Sequence, residues 1–528
     1  MDVSRRDLLK GGAIFGAGIA ATAAVGLYGC AEEAKQASND GANASVIPAA
    51  WDYEADIVVL GCGYAGIGAA VAGNDAGNSV LIVECMDEEG KGGASGSNGG
   101  LVNSPTAERL KFNTYGKWSD ERCEEFAERA AAARDWMANY YEKLEEREFG
   151  GAPAKFAPGM GVEAYWPIVE ETLALPNVSI EYNLRGRKLV SNPDTGEVLG
   201  LVAERDGQEV FVKASKGVVL ATGGYEANPE LVEAFHFPAF TYASAAGPAR
   251  VGDGLLMAGA LGARVGNLSQ DVEWTPYALK VASKDAGGGV SLAAMGVGGA
   301  IYVNAAGKRF DNESRNLTHN KSTLPFLDFH GEPGNPDHTR GYVNLPLWAV
   351  WDAEMVASTP IAEQRPRTYV NTHGFSWGQD NLANVEKGYL IEADTIEELA
   401  SKMQSTNMWG DPVSVDATVL AATIDEYNGF VAAGEDKDFG RDPKQMKQLA
   451  TGPFYAAELI PQILYTINGL VISEKSEVLD WNNEPIKRLY AAGDVCQGVL
   501  YSPITITGCC AQGQIASEQI TALDAWDA

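Results

Sequence analysis

Apolar runs and the polar breaks between them divide the chain into alternating strand and helix patterns. The run Asp56-Ile57-Val58-Val59-Leu60 is rich in β-branched residues and predicts a buried strand. It breaks into Gly61-Cys62-Gly63-Tyr64-Ala65-Gly66 and then into the small helix formers Ile67-Gly68-Ala69-Ala70, which predicts a tight turn and a helix. A second strand pattern, Ser79-Val80-Leu81-Ile82-Val83, ends in Glu84. A small, polar stretch follows, Gly90-Lys91-Gly92-Gly93-Ala94-Ser95-Gly96-Ser97-Asn98-Gly99-Gly100. Residues 119–147 are rich in Ala, Glu and Arg and predict one helix with Ser119 as its N-cap and a solvated charged face. Strand patterns at Val178-Ser179-Ile180-Glu181-Tyr182 and Leu199-Gly200-Leu201-Val202-Ala203 flank the turn Asn192-Pro193-Asp194-Thr195-Gly196. Lys216-Gly217-Val218-Val219-Leu220-Ala221-Thr222-Gly223-Gly224-Tyr225 is a further buried strand running into small residues, and Leu489-Tyr490-Ala491-Ala492-Gly493-Asp494 repeats that shape near the C-terminus.

The first unit carries a chemical meaning. In a Gly-x-Gly-x-x-Gly turn between strand and helix, Gly61 permits the turn, Gly63 lets the backbone approach a pyrophosphate, and Gly66 lets the helix pack on the strand. The helix N-terminus offers unpaired N–H groups and a positive dipole end to the phosphates. Glu84, roughly 20 residues past the glycines, stands where a carboxylate takes ribose hydroxyls. A glycine turn alone is more often just a turn, but the full strand, turn, helix, strand and terminal Glu point to a dinucleotide. The loop at 90–100 follows at once and is suited to wrapping that ligand with backbone amides.

At 528 residues the chain exceeds a single ordinary core, so at least two domains are expected. Its formal net charge of −31 argues against nucleic acid and against a basic membrane-surface face, and suits a basic redox partner. Cys30, Cys62, Cys85, Cys123, Cys496, Cys509 and Cys510 form no CxxC or CxxCH, which argues against covalent haem and a thiolate zinc site; no metal is expected. The adjacent Cys509 and Cys510 read as small packing residues. At the N-terminus, Ser4-Arg5-Arg6-Asp7-Leu8-Leu9-Lys10 precedes a weakly apolar stretch over 11–28 interrupted by five glycines. That pattern resembles a twin-arginine export signal better than a spanning helix. Leu27-Tyr28-Gly29-Cys30 loosely resembles a lipobox with an atypical Tyr28, which leaves lipidation of Cys30 open. Residues 31–50 read as a tether. The expected location is the periplasm or the outer face of the cytoplasmic membrane. Because the twin-arginine route carries folded proteins, a bound dinucleotide would be loaded before export.

Taken together, the glycine fingerprint, Ala221-Thr222-Gly223-Gly224, Gly252-Asp253-Gly254, Gly299-Ala300-Ile301-Tyr302-Val303-Asn304 with Gly307-Lys308-Arg309-Phe310-Asp311-Asn312-Glu313, and Ala491-Ala492-Gly493-Asp494 resemble the superfamily of FAD-dependent fumarate reductases, urocanate reductases and 3-ketosteroid dehydrogenases. The resemblance implies an α/β fold. A Rossmann-like, glutathione-reductase-like FAD domain would occupy residues 51–270 and 452–528, with an α+β capping domain inserted at 271–451, after a signal at 1–30 and a linker at 31–50. It implies FAD contacts from Gly61, Gly63, Tyr64, Ala65, Gly66 and Glu84, from Gly92, Gly93, Ala94, Ser95, Asn98, Gly99 and Gly100, and from Ala221, Thr222, Gly223, Gly224 and Asp253. Gly493, Asp494, Ile504 and Thr505 complete the set. Asp494 would hold a ribityl hydroxyl, and the helix after Thr507-Gly508 would point its N-terminus at the flavin pyrimidine. No second Gly-x-Gly-x-x-Gly is present, so one dinucleotide and no NAD(P)H site are expected. With no appended FMN or haem module, electrons would pass through a separate carrier, such as a quinol-linked membrane cytochrome or a flavin protein.

The resemblance also locates cations that this chain lacks. Where fumarate reductases have a His before Pro-Thr or Thr, this chain has Trp274 in Glu273-Trp274-Thr275-Pro276. Their His-His-Thr-Met-Gly-Gly corresponds to Leu464-Tyr465-Thr466-Ile467-Asn468-Gly469, so Tyr465 replaces the second His. Their Arg near the C-terminus falls on Tyr501-Ser502-Pro503-Ile504-Thr505, which has none. The proton-donating Arg aligns near Leu317, and the Glu and Arg of the proton path near Ala293 and Gly296; Arg315 or His319 would substitute only from a shifted register. A carboxylate buried without cationic partners is very costly. The site therefore suits a neutral, flat, larger molecule, such as a steroid-like enone or a plant phenylpropanoid, better than fumarate. In the ketosteroid dehydrogenase branch, tyrosine hydroxyls and a backbone amide polarise a ketone. Tyr501, then Tyr465, are the candidates for that role, with Arg315 a further catalytic candidate. For each Tyr the competing reading is an ordinary amphipathic core residue. The expected activity is reduction of a C=C bond conjugated to a carbonyl. The alternatives are the same site run in reverse as a dehydrogenase, and a flavin electron-transfer protein without small-molecule turnover. An inserted cap argues against the last, since a shuttle gains nothing from a dry cleft.

Overall fold

The computed structural model describes residues 47–528 except 115, 142, 150–151, 160–161, 237–240, 246–247, 267–272, 287–289, 291–298, 315–343, 359, 363–374, 379, 408–409, 498–504 and 528. The signal, Cys30 and most of the tether therefore lie outside the described residues. The rest is a mixed α/β fold built on two main sheets.

The first sheet is seeded by β1 (Tyr53–Leu60), α1 (Tyr64–Asp75) and β2 (Val80–Val83). β1 lies parallel between β2, with Leu60 opposite Val83, and the later strand β8 (Gln208–Leu220), with Leu60 opposite Leu220. Its side chains alternate between two cores. Val58 and Leu60 join Leu81, Val83, Val218 and Leu220 on one face, while Ile57 and Val59 join Val80, Ile82 and Val219 on the other. A strand covered on both faces is why the sequence shows an unbroken apolar run rather than alternation. Each such fully buried aliphatic side chain contributes about 1.5–3 kcal/mol.

The chain then departs from one expectation. The helix over 119–147 is real only in its first part. α2 is Asp120–Ala138, and Ser119 caps it by accepting from the Arg122 N–H. Beyond it the charged residues enter a hairpin, β3 (Glu145–Phe149) paired antiparallel with β4 (Ala152–Phe156). The buried Tyr141 explains the break, because its hydroxyl donates to Ala164 O on α3 (Val162–Leu173) and draws the chain off the helical path. β5 (Val178–Glu181) joins β2 in parallel. β6 (Arg185–Ser191) and β7 (Val198–Arg205) form a meander onto β8; β6 was not legible in the sequence.

The second sheet holds β9 (Glu273–Leu279), β10 (Ile301–Asn304), β11 (Leu347–Trp351) and the long β12 (Phe454–Tyr465) in the order β9, β12, β11, β10. Trp348, Trp351, Tyr277 and Tyr302 are fully buried in its core. The chain then returns to the first sheet. β13 (Glu477–Leu479) pairs with β14 (Pro485–Ala491), and β14 lies parallel to β8 with Ala491 opposite Leu220. The last helix, α7 here counting α4 (Pro229–His236), α5 (Asp253–Ala260) and α6 (Ala417–Ala433), is Ile506–Thr521. It was expected after Thr507-Gly508 but begins at Ile506 and so includes both residues, and it crosses α1 at backbone contact distance. A Cβ on Gly513 would overlap Ala65 O, and Ser517 Oγ donates to Ala69 O at 2.7 Å.

Two glycine substitutions separate close packing from helix propensity. Gly513→Ala should cost about 1–3 kcal/mol by overpacking the α1–α7 contact. Gly429→Ala, at an exposed α6 position where a Cβ meets nothing within 4 Å, should stabilise by about 0.5–1 kcal/mol. Thermal melting of both variants checks the opposite signs.

Candidate cofactor and active site

The carboxyl ends of β1, β2, β8 and β14 lie side by side, so the turns that follow them meet at one edge. Gly61 has φ +100°, and a Cβ there would lie 2.5 Å from Ala221 O, so the first turn tolerates only glycine. A Cβ on Gly66 would overlap Gly61 O, which is the close helix-to-turn packing the third glycine permits. Glu84 is buried and accepts from the Cys62 N–H (Oε2, 2.9 Å) and the Met86 N–H (Oε1, 2.9 Å). It thus braces the turn, and Oε2 keeps a lone pair for a ribose hydroxyl. Ser95 Oγ accepts from the Tyr64 N–H at 2.9 Å, which ties the 90–100 loop to the N-terminus of α1. That loop forms a short 3₁₀ turn, Gly93–Ser97, containing Ala94, and Gly100 N donates to Asn98 Oδ1 at 2.6 Å. Gly63 gives α1 no side-chain cap, and Gly93 and Gly99 face open space, where a Cβ meets nothing within 4 Å. A helix start with no cap from Gly63 itself, beyond the Tyr64 N–H held by Ser95, faces an open, glycine-lined loop and can hold a pyrophosphate.

Sequence reasoning named Tyr64 but missed Tyr165 behind this turn. Tyr165 on α3 donates to Cys62 O, its ring meets Tyr64 edge-on at 5.4 Å, and a Cβ on Gly92 would lie 2.7 Å from it. Tyr64 OH also donates to Ala164 O at 3.3 Å. Lys91 is buried too, with Nζ donating to Glu88 O at 2.9 Å, 4.6 Å from the Trp166 ring centroid and 3.5 Å from Glu170. Neither group carried a spacing signal, since each acts from a separate element.

The other turns are held by charge. After β8, Ala221 N donates to Leu60 O, Thr222 Oγ1 accepts from Gly254 N at 3.2 Å, and Gly223 has φ +73°. Asp253 takes a bidentate pair from Arg185 at 2.9 and 3.0 Å. After β14, Gly493 N donates to Gln512 Oε1 at 2.8 Å. Asp494 Oδ2 lies 2.7 Å from Arg250, and the same guanidinium contacts Glu226, which directly follows Gly223-Gly224-Tyr225. Arg250 and Glu226 are buried. Burial pushes the Glu226 carboxyl up to about 7 although Arg250 pulls it down; the Asp494 charge raises it further. Thr505 caps α7 by accepting from Gly508 N at 3.0 Å, and Thr507 Oγ1 donates to Asn103 O at 2.7 Å. Cys510 is buried as expected, and Cys509 Sγ reaches Asp494 Oδ1 at 3.9 Å.

Tyr465 is half-buried at the end of β12 and pairs with Glu273 on β9, while Trp274 pairs with Ile463. The two positions where the resemblance places histidines therefore lie on neighbouring strands. Tyr501, Ile504 and Arg315 lie outside the described residues, as do His319, Leu317, Ala293 and Gly296. A second cluster went unforeseen. Tyr225 OH donates to Asn468 Oδ1 and sits 2.7 Å from His236 Nε2, whose ring stacks on Tyr225. Burial holds the His236 imidazole neutral, lowered to about 4, opposed by its hydrogen bond with Asn468.

The sequence model of the family described as "FAD binding domain" matches residues 56–502. The chain belongs to that family. It binds FAD and is an oxidoreductase. It is similar to a probable fumarate reductase, Ifc3, of Shewanella frigidimarina, with 29% identity over 464 residues, covering 84% of this chain and 70% of the relative. It is similar to a 3-oxosteroid 1-dehydrogenase of Mycolicibacterium smegmatis, with 28% identity over 336 residues, 58% of this chain; it spans about half (52%) of that relative's length. Its fold is similar to that of 3-ketosteroid delta1-dehydrogenase from Sterolibacterium denitrificans, solved in complex with 1,4-androstadiene-3,17-dione (TM-score 0.67, 21% identity, 89% of this chain and 99% of the other). Among the described residues no group of His, Cys, Asp and Glu is arranged to hold a metal ion, and no helix is long and apolar enough to cross a membrane.

Glu84→Ala should weaken FAD binding by about tenfold or more, because two buried amides lose a charged acceptor. Fluorescence titration of the apoprotein with FAD measures this, and unchanged affinity would remove Glu84 from the site. For His236 the folded value lies below the unfolded 6.5, so the unfolded chain binds more protons between about 4 and 6.5. Its contribution is present above 6.5 and is lost as pH falls through that window, by at most about 3 kcal/mol. The difference in melting temperature between wild type and His236→Gln, followed against pH, should therefore shrink as the solution is acidified.

Proposed function

We propose that this FAD-dependent oxidoreductase acts on CH–CH groups and reduces a carbon–carbon double bond conjugated to the carbonyl of a neutral, flat acceptor, such as a steroid-like enone or a plant phenolic. The observation that carries this reading is the state of the buried cations. Among the described residues each buried guanidinium is already paired. Arg250 serves Glu226 and Asp494, Arg309 serves Glu313 and Asp436, and Arg441 lies 3.2 Å from Glu313 and donates to Ala300 O. None is left over for a substrate dicarboxylate, and desolvating one without a cation is very costly.

Bound FAD would supply the hydride for reducing the acceptor. The chain's own groups do the rest. Tyr501 and Tyr465 donate hydrogen bonds to the carbonyl oxygen as negative charge develops there, and a neutral phenol also delivers the proton to the α-carbon. Trp274 and Tyr465 lie on paired strands, which brings two aromatic positions to one part of the second sheet. We assign the flavin domain to two chain segments around an inserted cap. The return crossing goes after Tyr465 rather than at 451, because β12 belongs to the second sheet. The chain is exported by the twin-arginine route in folded, FAD-loaded form, and takes electrons from a separate carrier, a quinol-linked cytochrome or a flavin protein, with a basic face that complements the net charge of −31. The dehydrogenase direction uses the same groups, and the names of the steroid relatives keep it in view.

The test is anaerobic. Dithionite-reduced enzyme is followed by flavin absorbance while fumarate, then a panel of neutral enones, is added. Reoxidation by an enone and not by fumarate is expected, with the rate falling about 10²-fold or more in Tyr501→Phe or Tyr465→Phe. Reoxidation by fumarate would sink the cation argument and turn attention to Arg315 and His319. Bleaching of the oxidised enzyme by a saturated ketosteroid would reverse the direction.

A further inference from the structure

The proposed chemistry leaves one buried ionisable group unused. Glu226 is fully buried, and its only cationic neighbour among the described residues, Arg250, is shared with Asp494. With all three ionised, one cation faces two carboxylates, and the cluster carries one uncompensated negative charge.

The groups around Glu226 do not offset that charge. From its own turn comes Tyr225, and from the stretch after α4 comes Tyr242; both phenols are held neutral by burial and by the Glu226 charge. Thr466 and Asn468 come from the residues after β12. His236 stands one hydrogen bond further out, behind the Tyr225 hydroxyl, and is neutral. The polar atoms converge on one glycine. A Cβ on Gly224 would overlap Thr466 Oγ1, and would lie 2.7 Å from Glu226 Oε2 and 3.0 Å from an Arg250 nitrogen. Thr466 Oγ1 and Tyr242 OH are buried with no hydrogen-bond partner. Hydroxyls rotate, so each can donate to a carboxylate or accept from a carboxylic acid. Both Glu226 oxygens are likewise without a side-chain hydrogen-bond partner, so among the described residues no donor apart from Arg250 and its own backbone N–H favours the ionised form.

We infer that Glu226 is a positioning residue that takes up a proton when the bound flavin is reduced, with Arg250 transmitting the added charge through Asp494. The inference rests on the flavin placement proposed above, with Asp494 at the ribityl chain, and not on the identity of the acceptor. The balance is simple. An external donor, dithionite in the test, supplies two electrons to the flavin, and solvent supplies the proton that ordinary reduction takes up. A second proton passes from solvent to the Glu226 carboxylate, where one O–H bond forms. Negative charge arriving beside Asp494 competes for Arg250, and Glu226, losing part of its counter-ion, gains proton affinity. Its starting value of about 7 puts the uptake near neutrality. On reoxidation the Glu226 O–H bond breaks and the proton returns to solvent.

The test measures the midpoint potential of the FAD-loaded chain against pH, from about two units below neutrality to about two above. In the pH range above about 7 wild type should take up more protons per two electrons than Glu226→Gln, approaching two against one. Equal proton counts in the two proteins would overturn the inference. If Glu226→Gln does not fold, the wild type still decides. The reduced-minus-oxidised infrared difference spectrum should show a protonated-carboxyl C=O band that shifts in D₂O, and its absence would overturn the inference. Asp494→Asn separates the two layers. A shifted potential with equal proton counts overturns the Glu226 inference alone, whereas unchanged potential and FAD affinity overturn the flavin placement beneath it.

Discussion

The parallel pairing of β1 with β2 and β8, extended by β14, is the constraint on which the rest depends. Parallel strands place all their carboxyl ends on one edge. Four separate stretches of sequence, after Leu60, Val83, Leu220 and Ala491, thereby become four neighbouring turns. No single turn makes a dinucleotide site. Their adjacency does, and it is purchased by hydrophobic burial on both faces of the sheet rather than by any contact to the ligand.

That origin explains what was legible in the sequence. The turn at Gly61-x-Gly63-x-x-Gly66 could be read because steric demands fall on consecutive residues: Gly61 faces the Ala221 carbonyl, and Gly66 faces Gly61 itself. The buried runs at 57–60, 80–83 and 216–220 could be read because both faces are covered. The helix over 119–147 was overextended because charge and helix propensity continue past Ala138, while the force that ends it, the contact of Tyr141 with Ala164, lies 23 residues away in the chain. Helix α3 was hidden by Pro167 within it. The tyrosine brace at Tyr165 and the Glu226–Arg250–Asp494 cluster could not be read at all. The two ion pairs of that cluster join residues far apart in sequence, and nothing in local pattern predicts which carboxylate an arginine will find.

The cluster also alters the picture of the site's charge. The net charge of −31 belongs to the chain as a whole, whereas the interior near the turns is organised around arginines. These are committed inward. Arg250 joins two elements of the first sheet's edge, and Arg309 and Arg441 fasten the residues after β10 to those after α6. Removing one partner from any of them would strand a buried charge, so these positions resist substitution for reasons of stability as well as chemistry.

The seating of α7 on α1 has a consequence for synthesis. A helix within 25 residues of the C-terminus supplies the surface on which the first helix of the fold is packed, and β14 closes the sheet that β1 begins. Long-range pairing of this kind delays closure. The nascent chain can therefore complete neither the sheet nor its coenzyme cradle until nearly all of it has been made, so N-terminal sequences emerge long before the body they lead is folded.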